Sequence, residues 1–261
     1  MPKVEILGVH VDVIDADGLY QAIADSIARC GKDVFAYVNI NAINIAQENE
    51  RFRRFLNDAH VVYCDGEGVR LGGRILGYHL PPRIVLTYWI WDLCKYCESR
   101  DYSVFLLGAS EQHVREAVDR VRERFPHLRI VGYHHGYFAK QGPESDAVVE
   151  IVNRADPDIL IVGFGMPLQE FWIEEHLGRL NARVILPAGS MIDYTAGRKG
   201  LAPAWMANHG LEWLYRFFQE PRRLWKRYLI GNPLFMLRVI RERFFGAKSR
   251  RPMSLMSHLF M

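Results

Sequence analysis

The strongest constraint on this chain is an alternation. Short runs of consecutive apolar residues are each followed by a longer stretch with helical periodicity. VEILGV (4–9), VFAYVN (34–39), VVYC (61–64), SVFLLGA (103–109), LRIVGY (128–133), DILIVGFG (158–165) and ARVILPAG (182–189) read as strands. The helical stretches fall at about 18–30, 40–59, 67–76, 87–100, 111–125, 144–155 and 169–180. Asp17 is the expected cap of the first. Continuously apolar strands separated by helices predict an α/β fold: a Rossmann-like, mostly parallel sheet covered by helices on both faces. With 261 residues and 49% hydrophobic content, the chain can build one sizeable core. MPKVEILGV reads as a strand and not as a signal peptide.

Beyond about residue 200 the alternation stops. Three helical stretches remain, 203–219, 222–230 and 233–245, punctuated by Pro221 and Pro233. The expected division is an α/β body over 1–200, a helical appendage over 201–246 and a frayed tail over 247–261. Net charge is only +3, yet Gly210 to Arg251 carries +8, leaving −5 elsewhere. In GLEWLYRFFQEPRRLWKRY (210–228) aromatic rings interleave with Arg and Lys. Arg216, Arg223 and Arg227 share one face if the helix is unbroken. Such a segment suits an anionic partner, and rings at headgroup level with cations on phosphates suit a membrane surface. A solvated face on a packed helix is the competing reading. No apolar run reaches the length of a spanning helix, and YLIGNPLFMLRVI is broken by Gly231, Asn232, Pro233 and Arg238.

In open α/β sheets, ligands bind beyond the carboxyl ends of the strands. The polar residues there are Asn39, Asn41, Asp65, Gly108 to Ser110, Gly163 to Gln169 and Gly189 to Asp193. Asp65 directly follows an apolar strand and precedes Gly66-Glu67-Gly68. A carboxylate at that place can act as general base, or it can simply form an Asp-Gly turn. GFGMPLQEFW (163–172) has Pro167 as a helix start and puts Gln169 and Glu170 on the first turn, where free backbone N–H groups can hold a diphosphate. It lacks G-x-G-x-x-G and a P-loop lysine. Asp15-Ala16-Asp17 and Asp156-Pro157-Asp158 read as turns and caps. Cys94-x-x-Cys97 stands alone in an apolar helix and reads as packing. His134-His135 has no carboxylate companion, and Ser110 and Ser190 lack a nucleophile elbow.

Four segments in order, NDAHVVYCDGEGV (57–69), PDILIVGFGMPLQEFWI (157–173), AGSMIDYTAG (188–197) and APAWMANHGLEWLYRFFQEPRRLWKRY (202–228), together resemble the WecG/TagA/CpsF family of bacterial glycosyltransferases. The likeness runs from about residue 4 to about 230. It implies transfer of a sugar from a UDP-sugar to a sugar on polyprenyl diphosphate, inverting and without metal or cofactor. The place implied is the cytoplasmic face of the inner membrane, the protein lying peripherally on it. The pathway implied is exopolysaccharide or other cell-surface polysaccharide synthesis. By the same resemblance Asp65 is the base, with Arg216 and Arg223 as catalytic arginines of the appendage. Asn39, Arg83, Gln169, Glu170 and Lys226 are substrate-binding. Three departures bear on the donor. Tyr37 stands where the family has threonine, Cys64 where it usually has proline, and IVLTYWIWDL follows Arg83 in place of a shorter form. They leave the donor open between an N-acetylmannosamine type and glucose. Other readings are a non-catalytic lipid-diphosphate scaffold, an NAD-type oxidoreductase, which the absent glycine fingerprint disfavours, and nucleic-acid binding, which the resemblance disfavours. Homo-oligomers are common in such enzymes, but no stretch here demonstrates an interface.

Overall fold

The computed structural model describes residues 1–246, so the expected tail over 247–261 lies outside the described residues. Six strands form one sheet: β3 (Asp33–Val38), β4 (Val61–Cys64), β5 (Ser103–Gly108), β6 (Arg129–His134), β7 (Ile159–Gly163) and β8 (Val184–Pro187). Their order is β4-β3-β8-β7-β5-β6, and every pairing is parallel. Side chains alternate between two cores. Val38, Val62, Leu107 and Val162 enter one, while Phe35, Tyr63, Leu106 and Ile161 enter the other. Both faces are therefore covered, which is why these strands read as unbroken apolar runs.

The helices α2 (Ile40–Glu48), α3 (Glu50–Asp58), α4 (Glu67–Leu76), α7 (Pro143–Ala155) and α8 (Leu168–His176) cover the first face. On the second lie α1 (Ala16–Ala28), α5 (Leu86–Arg100), α6 (Glu111–Arg124) and the short α9 (Met191–Thr195). Asp15, not Asp17, caps α1, its carboxylate accepting from Gly18 N at 2.9 Å. Cys94 and Cys97 are buried and unbridged within α5. Asp158 accepts from Ser103 at the far end of the sheet from the strand carboxyl ends.

The first expected strand is instead a hairpin of β1 (Lys3–Ile6) and β2 (Val9–Asp12), antiparallel and separate from the main sheet. Leu7 and Gly8 both take positive φ, 50° and 74°, and make the two-residue turn. That conformation normally selects Asn-Gly, so the apolar Leu7 hid the turn. The hairpin guards edge strand β4: buried Asp12 accepts from Val62 N at 2.8 Å.

The C-terminal part is helical throughout: α10 (Ala204–Asn208), α11 (Glu212–Gln219), α12 (Pro221–Trp225), a π-helical turn (Lys226–Ile230) and α13 (Gly231–Phe245). Glu220 breaks the helix before Pro221, with φ −134° and ψ 57°. α13 belongs to the first core. Phe235 and Val239 are fully buried there, and Phe235 lies on Gly72 so closely that a Cβ at that glycine would meet its ring at 2.7 Å. Among the described residues, no helix is long and apolar enough to cross a membrane.

Candidate active site

A cleft of about 1100 Å³ opens at the carboxyl ends of the strands. Tyr37 and Asn39 line it from the end of β3, Asp65 from β4, Ala109 from β5, Gly163 to Met166 from β7, and Ala188 to Ser190 from β8. The parallel sheet thus brings together residues far apart in the chain, as such sheets do at their carboxyl edge. The C-terminal helices form the opposite wall, with Arg216, Arg223, Lys226 and Arg227.

Asp65 is held from two sides. Its backbone N donates to Val38 O at 2.9 Å, and its carboxylate accepts from Asn39 Nδ2 at 3.2 Å. Asn39 has no freedom to turn away, because its Oδ1 caps α2 by accepting from Ala42 N at 3.1 Å. Gly66 allows this closeness: a Cβ there would stand 3.1 Å from Asn39 Cβ. Burial raises the Asp65 pKa above the ordinary carboxylate range. Arg216, the Asn39 hydrogen bond and Arg83 pull it back, and Glu212 adds to the rise. A carboxylate so placed can take a proton from an alcohol.

The basic residues divide by what already holds them. Arg216 lies over the Tyr194 ring, 5.0 Å from its centroid, and its NH2 donates to Thr87 Oγ1 at 3.4 Å. Arg223 pairs with Glu220 beside it and is exposed. Lys226 is exposed at the rim and Arg227 is half-buried. Arg83 is committed elsewhere. It donates to Glu212 Oε2 at 2.5 Å and to Ala207 O at 2.8 Å, with Glu67 at 3.9 Å. It lines a neighbouring cavity with Tyr88, Trp89 and Glu212, not the cleft, and ties the C-terminal helices to the body.

Gln169 and Glu170 also stand behind the cleft wall. Gln169 is fully buried, and its Oε1 accepts from Gly165 N at 3.0 Å and Gly189 N at 2.9 Å. The Gly165 N–H, just before the start of α8, is therefore engaged by this side chain. Gln169 Nε2 donates to Glu170 Oε1 at 2.8 Å, and Glu170 Oε2 is buried without a hydrogen-bond partner among the described residues. Burial pushes the Glu170 pKa up to about 7.

A folded-state pKa above the unfolded value means that stability is fully present below about pH 4.5 and lost as pH rises through about 7. The difference in unfolding free energy between Glu170→Gln and the parent should therefore move in the variant's favour by about 3 kcal/mol from acid to alkaline pH. Urea unfolding at both ends of that range reads it, and a flat difference contradicts it.

Sequence reasoning assigned no role to several cleft residues. Thr87 carries no local signal, since its partner Arg216 lies in another element. Lys140 stands over the Phe138 and Phe164 rings and donates to Gly136 O and Phe138 O. Asp193 bonds His113 Nδ1 at 2.8 Å. Arg227 was visible as part of the basic face. Among the described residues, no cluster of His, Cys, Asp and Glu could hold a metal ion.

Comparison with known proteins bears on the family. The model of the family described as Glycosyl transferase WecG/TagA/CpsF family matches residues 4–249. An N-acetylglucosaminyldiphosphoundecaprenol N-acetyl-beta-D-mannosaminyltransferase of Staphylococcus aureus (strain MW2) is 28% identical over 243 residues, 92% of this chain and 93% of the relative. A protein of the same description from Bacillus spizizenii (strain ATCC 23059 / NRRL B-14472 / W23) is 29% identical over 203 residues, 78% of this chain and 77% of the relative. The chain belongs to the WecG/TagA/CpsF family and is a glycosyltransferase.

Proposed function

We propose that the protein moves a sugar from a UDP-sugar to a sugar carried on polyprenyl diphosphate, with inversion, at the cytoplasmic face of the membrane. The observation that carries this reading is the fixed Asp65 carboxylate in one cleft with the Arg216 guanidinium. An acceptor hydroxyl attacks C1 of the donor sugar and gives its proton to Asp65. The bond from C1 to the diphosphate oxygen breaks. The charge left on UDP meets Arg216, with Arg223 and Arg227 beside it. Asn39 orients the base. Arg83, Gln169 and Glu170 act by shaping the cleft and holding its walls.

The described relatives act on N-acetylglucosaminyl-diphosphoundecaprenol and transfer N-acetylmannosamine, which supports that pair here. Tyr37 favours a second donor. Its ring lines the cleft where the family has threonine, and it is the bulkier side chain at the place where the donor is read. Glucose, which has no acetamido group, is that second donor, with an exopolysaccharide as the product class. UDP release from UDP-N-acetylmannosamine and from UDP-glucose, with a short-chain polyprenyl-diphospho-N-acetylglucosamine acceptor, tests both. Release with neither donor counts against the assignment.

The C-terminal helices supply the membrane contact. Phe218, Trp225, Leu229, Ile230, Leu237, Ile240, Phe244 and Phe245 are exposed, and cations stand among them. Rings and aliphatic chains at headgroup level with Arg and Lys on phosphates bind anionic bilayers peripherally.

A further inference from the structure

One stretch of the cleft lining is apolar. Ile45 comes to it from α2, Met166 and Leu168 from the start of α8, and Ile230 and Leu234 from the junction of the π-helical turn with α13. Asn41, Asn44, Ile45 and Glu48 recur at helical spacing, so one face of α2 forms the side of a groove. The junction is pinned over that face, because Asn44 Nδ2 donates to Gly231 O at 2.8 Å and Asn44 Oδ1 accepts from Arg238 at 2.8 Å. Leu168 and Ile230 remain 46% and 52% exposed at the groove's edge.

The position of this wall names its occupant. Lys226 and Ile230 stand at the two ends of the π-helical turn, both lining the cleft. The cation and the start of the apolar wall are thus less than one π-helical turn apart in the chain. A ligand carrying diphosphate joined directly to branched hydrocarbon has that succession of charge and grease. Outside the groove, Leu237 and Ile240 continue the apolar surface on α13.

We propose that the groove between α2 and the start of α13, closed by Met166 and Leu168, holds the first isoprenoid units of the lipid acceptor. The rest of the chain then passes to the bilayer. This rests on the polyprenyl-diphosphate reading above. It adds that acceptor affinity comes partly from the tail, through burial of apolar area against these five side chains.

The test is calorimetric titration of the full chain with two probes, inorganic pyrophosphate and farnesyl diphosphate. Farnesyl diphosphate should bind at least about tenfold tighter than pyrophosphate, since several CH₂ equivalents leave water. Leu168→Ser with Ile230→Ser changes two exposed positions and should bring the two affinities within about twofold, with pyrophosphate unchanged. Leu237→Ser with Ile240→Ser, outside the groove, should keep the preference. Equal affinities in the parent overturn the proposal. So does a preference that survives in the groove variant, or an equal loss in the outer one, which would mark a generic apolar surface. The underlying reading fails separately: pyrophosphate binding that is indifferent to both Arg216→Met and Lys226→Met removes the diphosphate sites, and if neither probe binds, both readings fall.

Discussion

Asp65→Asn should lower turnover by about 10²–10⁴ while leaving the fold in place. The amide has the size of the carboxylate, and the backbone bond from residue 65 to Val38 O is untouched. What disappears is the ability to accept a proton as the acceptor oxygen attacks. The parent should carry its own signature of this role. Because the Asp65 pKa lies above the ordinary carboxylate range, the base is lost as pH falls through that raised value. kcat/KM should therefore rise with pH along a limb displaced upward from that of a solvated aspartate, and the variant should lack the limb. UDP release across pH measures both. A scaffold that only binds lipid diphosphate has no turnover to lose, so an Asp65→Asn protein indistinguishable from its parent would support that alternative.

Arg216→Met should cost about 10²–10³ in kcat, the usual loss when one preorganised donor to a developing anion is removed. It should also move the acid limb upward, since Arg216 is the strongest influence lowering the Asp65 pKa. Two further variants separate charge from mere attachment. Arg83 and Glu212 bond each other, so either change breaks the same tie between the body and α11. Their charges act on Asp65 in opposite directions. Arg83→Gln should shift the limb up and Glu212→Gln should shift it down. Arg216, Tyr88 and Glu67 also face this pair, and all three stay in both variants. If the two limbs move together, attachment alone explains the tie and the electrostatic account of Asp65 fails.

Much of the body was legible because each strand had to be apolar on both faces. That pattern cannot be produced by a half-exposed sheet, and Val61 to Cys64 or Ile159 to Gly163 allow no other reading. Asp65 was legible for a related reason: a lone carboxylate directly after a buried strand lands at the rim of the sheet. The misses share a different cause. Leu7 adopts a conformation its side chain does not advertise. Asp15 outranks Asp17 as a cap by two positions that sequence alone weighs equally. Gln169 looked like a ligand contact from its place on a first helical turn. Its role as a tie between Gly165 and Gly189 depends on two loops meeting that lie about twenty residues apart. Arg83 and Glu212 are 129 positions apart, and nothing local marks either as the other's partner.

The burial of Phe235 and Val239 has a consequence for how the molecule is made. The sheet and the helices that cover its first face leave the ribosome before α13 does, and until α13 arrives Gly72 faces an unfilled recess. The same late segment follows α11, which carries Arg216, so the body can neither complete its core nor gain the proposed catalytic charge early in synthesis. On the proposed mechanism a nascent chain cannot act on its donor before it is whole. A prematurely terminated product exposes the very surface that chaperones and proteases recognise.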